Sequence, residues 1–262
     1  RVVLALTSIG YDVTDVGGYN LLKPLADFDK TVWQGINGAI FALIAFDSHD
    51  YEIPEAPEGA ESQTTREKLI QRIIELELAG GGWSLFGNQA DTDITAMAIQ
   101  ALAPYYESNA NVKAAVDRAL AKLSTMQDSF GSFGSVVSGS SSSTSESCAQ
   151  VVVALTALGI DPDSDPRFVK NGNSVLDALL SYAVEDGGFK HVASGDINGM
   201  ATEQGYYALA AYDRFLNDKT SLYDMTDVKI GSEPEQPEPE EEDRTLSDWK
   251  GSGITITGKE SI

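Results

Sequence analysis

The stretch DTDITAMAIQAL, residues 91–102, sets two carboxylates one residue apart, directly before an apolar pattern with helical spacing. Asp91 and Asp93 therefore stand at the start of a predicted helix. A carboxylic acid in this place transfers a proton if burial keeps it protonated. The same two residues also suit an ordinary helix start, because one aspartate caps free backbone N–H groups and another is favoured by the helix dipole. The pattern favours a capping role for Asp91 and leaves proton transfer by Asp93 as the alternative.

The charge of the chain argues against one large class of partner. Its 262 residues include 40 acidic and 18 basic side chains, a formal net charge of −22. Binding to nucleic acid relies on clustered Lys and Arg that displace counterions from phosphates, so we expect no nucleic-acid partner. No stretch of the chain reaches the roughly 20 apolar residues that a membrane-spanning helix needs. We therefore expect no membrane span in this chain.

Five apolar, alanine-rich segments predict helices that are buried on most of their faces. Two of them, residues 1–12 and 150–161, align without a gap and are identical at seven of twelve positions. This identity indicates an internal repeat, and we expect the chain to begin within one. The other three segments are residues 35–46, 93–106 and 201–215.

Amphipathic segments alternate with the apolar ones and predict a second, outer set of helices. They are residues 65–79, 111–127 and 173–184, with residues 19–28 as a weaker member. Glycine-aromatic segments lie between an outer helix and the next inner one, where glycine supplies the left-handed conformation and the aromatic side chain packs between helices. These segments are GGGWSLFG (80–87), SFGSFGS (129–135) and DGGFKH (186–191).

The composition changes near residue 230 and divides the chain into three parts. Residues 1–228 form the predicted helical domain. Residues 229–245 mix Pro with many Glu, which predicts a disordered, acidic linker that cannot bury enough apolar surface to fold. Residues 246–262 contain a short alternating run and are interpreted as the start of a further domain. Such linkers are typical of exported multidomain proteins, so we expect a secreted or cell-surface location.

Taken together, the apolar helices and the Gly-Gly-Trp (81–83) and Gly-Gly-Phe (187–189) turns resemble the prenyltransferase and squalene-cyclase repeat superfamily. The resemblance covers residues 1–225 and implies an all-α fold, an α/α toroid of alternating inner and outer helices. A full toroid of this type has six inner helices, and this sequence offers five. Within the superfamily the chain looks most like bacterial surface proteins of unknown function. It is more distantly similar to the α-domain of vitamin B12 carriers, which implies a corrinoid as a ligand; the residues themselves indicate no cofactor.

Two catalytic motifs of the superfamily are only partly present. Its class II terpene cyclases use Asp-x-Asp-Asp followed by Thr-Ala, whereas this chain has Asp91, Asp93 and then Ile94 before Thr-Ala. The loss of one acid at position 94 argues against protonation of an alkene. Its protein prenyltransferases hold zinc with Asp-x-Cys and a later His. Glu146 and Cys148 resemble the first part, but the next inner helix has no histidine, and a catalytic zinc needs three ligands. We expect Cys148 to be a buried structural residue.

The segment DPDSDPR, residues 161–167, places three aspartates at alternate positions, as an oxygen-ligand loop for calcium does. It lacks the following Gly and the bidentate Glu of the EF-hand pattern. A turn stiffened by two prolines is the favoured interpretation, and we predict no metal site in the chain.

Residues at the predicted N-termini of the inner helices, and in their glycine turns, should surround one mouth of the toroid. Acids and aromatics there would line a ligand-binding pocket or pack as a closed core. The candidate ligand-binding residues are Trp83, Phe86, Asp91, Asp93, Glu146, His191, Glu203 and Tyr206.

These patterns favour a non-catalytic module that binds a small molecule or a protein, as part of an exported cell-surface multidomain protein. One alternative is an enzyme that resembles terpenoid cyclases or prenyltransferases, with Asp93 as general acid and Asp91 beside it. Another is a structural spacer, whose centre would be filled by side chains. An apolar cavity beside Asp93 would favour the enzyme, and a polar one would favour recognition.

Overall fold

Helices dominate the computed structural model, which describes residues 1–135, 142–185 and 187–231. In these residues the predicted all-α class is confirmed. The predicted acidic linker beyond residue 231 and the segment 246–262 lie outside the described residues. The α-helices are α1 Val2–Ser8, α2 Phe28–Val32, α3 Ile36–Asp47, α4 Arg66–Glu75, α5 Thr92–Leu102, α6 Ala110–Met126, α7 Ser145–Ala157, α8 Val175–Leu180 and α9 Gly199–Leu216. A hairpin of β1 Val169–Lys170 and β2 Asn173–Ser174, and 3-10 helices at Lys23–Ala26 and Ala103–Tyr105, complete the described elements.

The longer helices pack in two layers. Helix α5 lies between α3 and α7, and α7 packs against α9, so these four helices form a consecutive row. Helix α4 packs against α3 and α6, α6 packs against α5, and α8 packs against α7, on the outside of the row. The apolar helices α3, α5 and α7 are buried along most of their length. The outer helix α4 buries one face only.

The helices at either end of the chain differ from the prediction. We expected residues 1–12 and 201–215 to be buried on most faces, but Val2 is 65% exposed on α1 and Tyr206 is 53% exposed on α9. Helix α9 packs against α7 along one side, which leaves its opposite side open. Two outer elements are also shorter than predicted. Residues 173–184 contain only the six-residue helix α8, and residues 19–28 contain only a 3-10 helix before α2 begins.

Three glycine turns, before α5, α7 and α9, share one hydrogen-bond pattern. In each, a glycine with positive φ at position 81, 131 or 187 reverses the chain. The backbone N–H of the residue that caps the next helix then donates to the carbonyl of the turn's buried aromatic residue. The pairs are Asp91 to Trp83 at 2.8 Å, Thr144 to Phe133 at 2.9 Å and Asn198 to Phe189 at 3.0 Å. Each aromatic ring is therefore fixed at the base of a helix.

A second contact ties the turns to the helices that follow them. The N–H of Trp83 donates to Thr95 Oγ1 at 2.9 Å, and the N–H of Phe189 donates to Thr202 Oγ1 at 2.9 Å. Both threonines lie one turn inside their helix, so turn and helix move as one unit. No described helix is both long enough and apolar enough to cross a membrane.

Candidate functional site

Asp91 caps helix α5. Its Oδ1 accepts from the Ile94 N–H at 3.0 Å and its Oδ2 accepts from the Ser135 hydroxyl at 2.6 Å. The residue is fully buried. The predicted capping role is therefore confirmed, and both carboxylate oxygens of Asp91 help to hold the start of the helix.

Asp93 lies in the first turn of α5 and is half-buried. Its Oδ1 is buried and has no hydrogen-bond partner among the described residues. Burial raises the pKa of Asp93 to about 6; the nearby hydroxyls of Ser147 and Ser135 oppose this shift, and the charges of Asp91 and Glu146 add to it. A group with this pKa can give or take a proton close to neutral pH.

Glu146 occupies the first turn of α7 and is only 8% exposed. Both of its carboxylate oxygens lie 2.9 Å from Nδ1 of His191. Ser145 joins helix α7 to the glycine turn that contains His191. Its N–H donates to the His191 carbonyl at 3.1 Å, and its hydroxyl donates to the Lys190 carbonyl at 2.7 Å. We refer to Asp91, Asp93, Glu146 and His191 as the acid cluster.

The start of α7 differs from one detail of the sequence pattern. The stretch Ser143 to Glu146 has the Ser-x-x-Glu form of a capping box, but the N-cap is Thr144, whose hydroxyl accepts from the Ser147 N–H at 3.2 Å. The N-cap is thus one residue later than the Ser-x-x-Glu pattern indicates, and Glu146 does not complete a capping box. It pairs with His191 instead.

Cys148 is a core residue, as predicted. It is fully buried, and its Sγ lies 3.2 Å from the Ser132 hydroxyl, which also bonds to Tyr182 at 2.9 Å. Burial raises the pKa of the Cys148 thiol to about 12, although the backbone N–H of Phe133 lowers it. Cys148 therefore lies beside Phe133, in the place that Thr95 holds in α5 and Thr202 holds in α9. With its raised pKa, the thiol is unreactive at neutral pH.

The remaining predicted site residues do not join the acid cluster. Trp83 is fully buried and its Nε1 donates to the Ile73 carbonyl at 2.7 Å, so its assignment to a ligand-binding surface is wrong and it belongs to the core. Phe86 is 79% exposed on its turn, and Glu203 and Tyr206 are exposed on α9. Within the described ranges, no hydrogen bond or ion pair joins these three residues to the cluster.

Three glutamines and a tyrosine, which the sequence analysis missed, link the inner faces of α5, α7 and α9. The Gln100 amide donates to Oε1 and to the backbone carbonyl of Gln150, each at 3.0 Å. The Gln150 amide donates to Gln204 Oε1 at 3.0 Å and to the Tyr207 hydroxyl, which in turn donates to Gln204. Buried amides are costly unless they are hydrogen-bonded. This glutamine network therefore makes the shared face of the three helices polar and fixes their spacing.

A sequence signal for this network exists. Gln150 and Gln204 each stand two residues after the small residue that contacts the glycine turn, Cys148 in α7 and Thr202 in α9. An amide that recurs at one position of two otherwise apolar helices points to a shared polar contact. Gln100 has no such counterpart, and only the packing of α5 against α7 brings it to Gln150.

A second charged group lies at the opposite ends of the inner helices. Arg66 donates through Nε to Asp47 Oδ1 at 2.7 Å, and through Nη2 to the carbonyls of Phe46 and Tyr51 at 2.9 and 3.0 Å. The Tyr105 hydroxyl donates to Asp47 Oδ2 at 2.8 Å. Burial raises the pKa of Asp47, against the effect of these two donors. We refer to Asp47, Arg66 and Tyr105 as the arginine cluster.

No group of three or more His, Cys, Asp or Glu side chains in the described ranges is placed to hold a metal ion. In the aspartate-rich turn, Asp161 accepts from the Asp163 N–H at 2.9 Å and from the Ser164 hydroxyl at 2.6 Å, so it stabilises the turn itself. The sequence matches no model of a known protein family and no curated protein. The groups available for chemistry are the carboxyl of Asp93, the Glu146–His191 pair and the glutamine network.

Proposed function

We propose that this chain is a non-catalytic binding module of an exported, cell-surface multidomain protein, built as an α/α toroid of the prenyltransferase and squalene-cyclase type. The observation that carries the proposal is the glutamine network, which gives the inner faces of α5, α7 and α9 a polar surface. The location is supported by the acidic composition of residues 229–245.

Two features of the packing support a ring-like arrangement. The row of α3, α5, α7 and α9 carries a second layer on one side, as concentric rings require. The segment after α9 returns to the first helices, because the N–H of Met225 donates to the Ser48 carbonyl and the N–H of Gly231 donates to the Gly10 carbonyl, each at 2.7 Å. His49 Nε2 also lies 2.9 Å from the Val228 carbonyl.

Polarity favours recognition over isoprenoid chemistry. Cyclisation of a hydrocarbon needs an apolar chamber, since amide and hydroxyl lone pairs would capture a carbocation. Gln100 lies two helical turns after Asp93 on α5, and Gln150 lies one turn after Glu146 on α7. Together with the Tyr207 hydroxyl, they place such groups close to the acid cluster. Ligands rich in hydroxyl or amide groups match this surface, and a corrinoid, with its amide side chains, is one of them.

The test uses two probes of this kind. Cobalamin supplies amides and maltohexaose supplies hydroxyls, and binding of each is measured by titration calorimetry, with co-elution of visible absorbance in gel filtration as a second readout for cobalamin. We expect saturable binding of at least one probe, weakened by Gln204→Ala. The matched control is Gln71→Ala, which removes an exposed glutamine of α4 that bonds only to Glu75. If neither probe binds, the binding proposal fails and the structural spacer becomes the better interpretation.

One observation favours an enzyme as a second candidate. Asp93 combines a pKa of about 6 with a buried oxygen that has no hydrogen-bond partner among the described residues, and both suit a general acid of the terpenoid-cyclase kind. The decisive assay compares the unmodified chain with Asp93→Asn on squalene and on geranylgeranyl diphosphate. Turnover that depends on Asp93 would establish the enzyme. No turnover, or equal turnover in the variant, removes it.

A further inference from the structure

A cavity of about 420 Å³ opens at the C-terminal ends of α3 and α5, beneath residues 221–226. Its volume is within the range of sites for small organic ligands. The polar residues that matter for its chemistry are Asp50, Arg66, Gln100, Tyr105, Tyr223 and Asp224. We call this cavity the C-terminal recess; its position separates it from the acid cluster at the helix N-termini.

The charge of the C-terminal recess is negative. Arg66 is the one cation among its lining residues, and its Nε and Nη2 are already used by Asp47 and two backbone carbonyls. The carboxylate of Asp50, an exposed residue, has no hydrogen-bond or ion-pair partner in the part of the chain that the structure describes. Asp224 accepts through Oδ1 from Thr226, and its Oδ2 has no donor within the described ranges. Neither of these two carboxylates forms an ion pair with a described residue.

Gln100 adds a third acceptor. The residue is 6% exposed, and its amide nitrogen makes both of its hydrogen bonds to Gln150. Its Oε1 has no donor among the described residues, and the side chain lines the recess. A carbonyl oxygen that accepts no hydrogen bond from the protein can accept one from a ligand with N–H groups.

The surrounding elements also favour a cation. Helix α3 ends at Asp47 and α5 ends at Leu102, and the C-terminal end of a helix carries partial negative charge. The rings of Tyr105 and Tyr223 contribute aromatic surface to the recess. Cations are attracted to the faces of such rings.

We propose that the C-terminal recess binds a small organic cation through a primary ammonium group. The three N–H donors of an ammonium group match the three available acceptors: Asp50, Asp224 and Gln100 Oε1. The aromatic side chains then contact the organic part of the ligand. This site goes beyond the proposed function, because it lies at the other end of the inner helices and shares only Gln100 with the glutamine network.

The test is titration calorimetry with three probes that share one tail: 2-phenylethylamine, its N,N,N-trimethyl analogue and 2-phenylethanol. We expect one equivalent of the amine to bind, with affinity about tenfold or more above that of either analogue. The double variant Asp50→Asn with Asp224→Asn should weaken binding of the amine by about tenfold or more. Asp29→Asn with Asp196→Asn makes the same change in net charge at exposed sites outside the recess and should leave the affinity unchanged.

Three outcomes would overturn the proposal: equal binding of the alcohol, equal weakening by both double variants, or no saturation up to about 10 mM amine. Asparagine keeps the shape of aspartate and tolerates the positive φ of 50° at Asp50, so the variant should fold, and circular dichroism checks this. Gln204→Ala serves as a further arm. If it abolishes binding of cobalamin or maltohexaose but leaves binding of the amine intact, the two sites are independent.

Discussion

The acid cluster and the arginine cluster each bury a carboxylate at one end of the inner helices, Asp93 at the start of α5 and Asp47 at the end of α3. The two carboxylates have different hydrogen-bond partners. Asp47 receives a guanidinium at 2.7 Å and a phenol hydroxyl at 2.8 Å, one on each oxygen. Asp93 has an oxygen with no partner among the described residues. Burial raises the pKa of both. Asp47 is therefore held as a structural ion pair, while Asp93 stays available to a proton or a ligand.

The largest expected effect is the loss of the arginine. Arg66→Ala should lower the free energy of unfolding by about 3 kcal/mol, because it leaves Asp47 buried without its cation and two carbonyls without a donor. Urea unfolding at pH 7 measures the change. The control is Lys113→Ala, which removes an ion pair with Glu107 in which both side chains are exposed. Equal losses in the two variants would contradict the structural role of the arginine cluster.

The second prediction concerns Asp93, one oxygen of which has no hydrogen-bond partner among the described residues. Asp93→Asn should raise the free energy of unfolding at pH 7 by about 2 kcal/mol, since it removes a charge that is costly to bury. A raised pKa in the folded state means that Asp93 contributes stability below pH 4, and that this contribution is lost as the pH rises through about 6. The variant should lack this loss between pH 4 and 6.

Urea unfolding at several pH values tests this second prediction. Asp29→Asn, at an exposed position of α2, is the matched control and should keep the pH dependence of the unmodified chain. An unchanged pH profile in Asp93→Asn would mean that Asp93 is solvated in the folded protein. The contrast with Asp47 would then disappear.

A third, smaller effect separates the two donors to Asp47. Tyr105→Phe deletes only the hydroxyl that bonds to Oδ2 and should lower the free energy of unfolding by about 1 kcal/mol. Chemical unfolding at pH 7 measures it. Tyr106→Phe is the control, because its hydroxyl donates to Asp117 on the exposed surface. A loss as large as that of Arg66→Ala would show that the hydroxyl, and not the guanidinium, holds Asp47.

The smallest effect is expected at the rim of the acid cluster. His191→Gln should change the free energy of unfolding by less than about 1 kcal/mol, because the His191 side chain is 46% exposed and its pairing with Glu146 is partly solvated. Amide hydrogen exchange of residues 187–192 provides a second readout and should show faster exchange. A loss of several kcal/mol would make this pair structural, like Arg66 and Asp47.

Local features of the sequence predicted local features of the structure. The capping role of Asp91 depends on the four residues 91–94 and on a helix that begins where its apolar pattern begins. Trp83 packs between helices, as the glycine-aromatic pattern predicts, but the sequence did not show whether its ring would also reach a pocket. The cap of α7 was misplaced by one residue, since Ser143 and Thr144 have equal capping chemistry and the bond from Thr144 to Phe133 selects the second.

The clusters themselves depend on contacts between distant residues. Asp47 and Tyr105 are 58 residues apart, and Gln100 and Gln150 are 50 apart. No periodicity along one helix states which neighbour its polar side chains will meet. Asp93 and Glu146 were both expected near the N-termini of inner helices, but their electrostatic interaction depends on the packing of α5 against α7.

The three glycine turns have a consequence for engineering. They fix the starts of α5, α7 and α9 largely through main-chain donors and acceptors, together with a buried ring. The side chains of His191, Glu203 and Gln204 take no part in those bonds. The frame is thus separable from exposed side chains, so positions such as His191 and Glu203 can be randomised in a library while the scaffold beneath them stays the same.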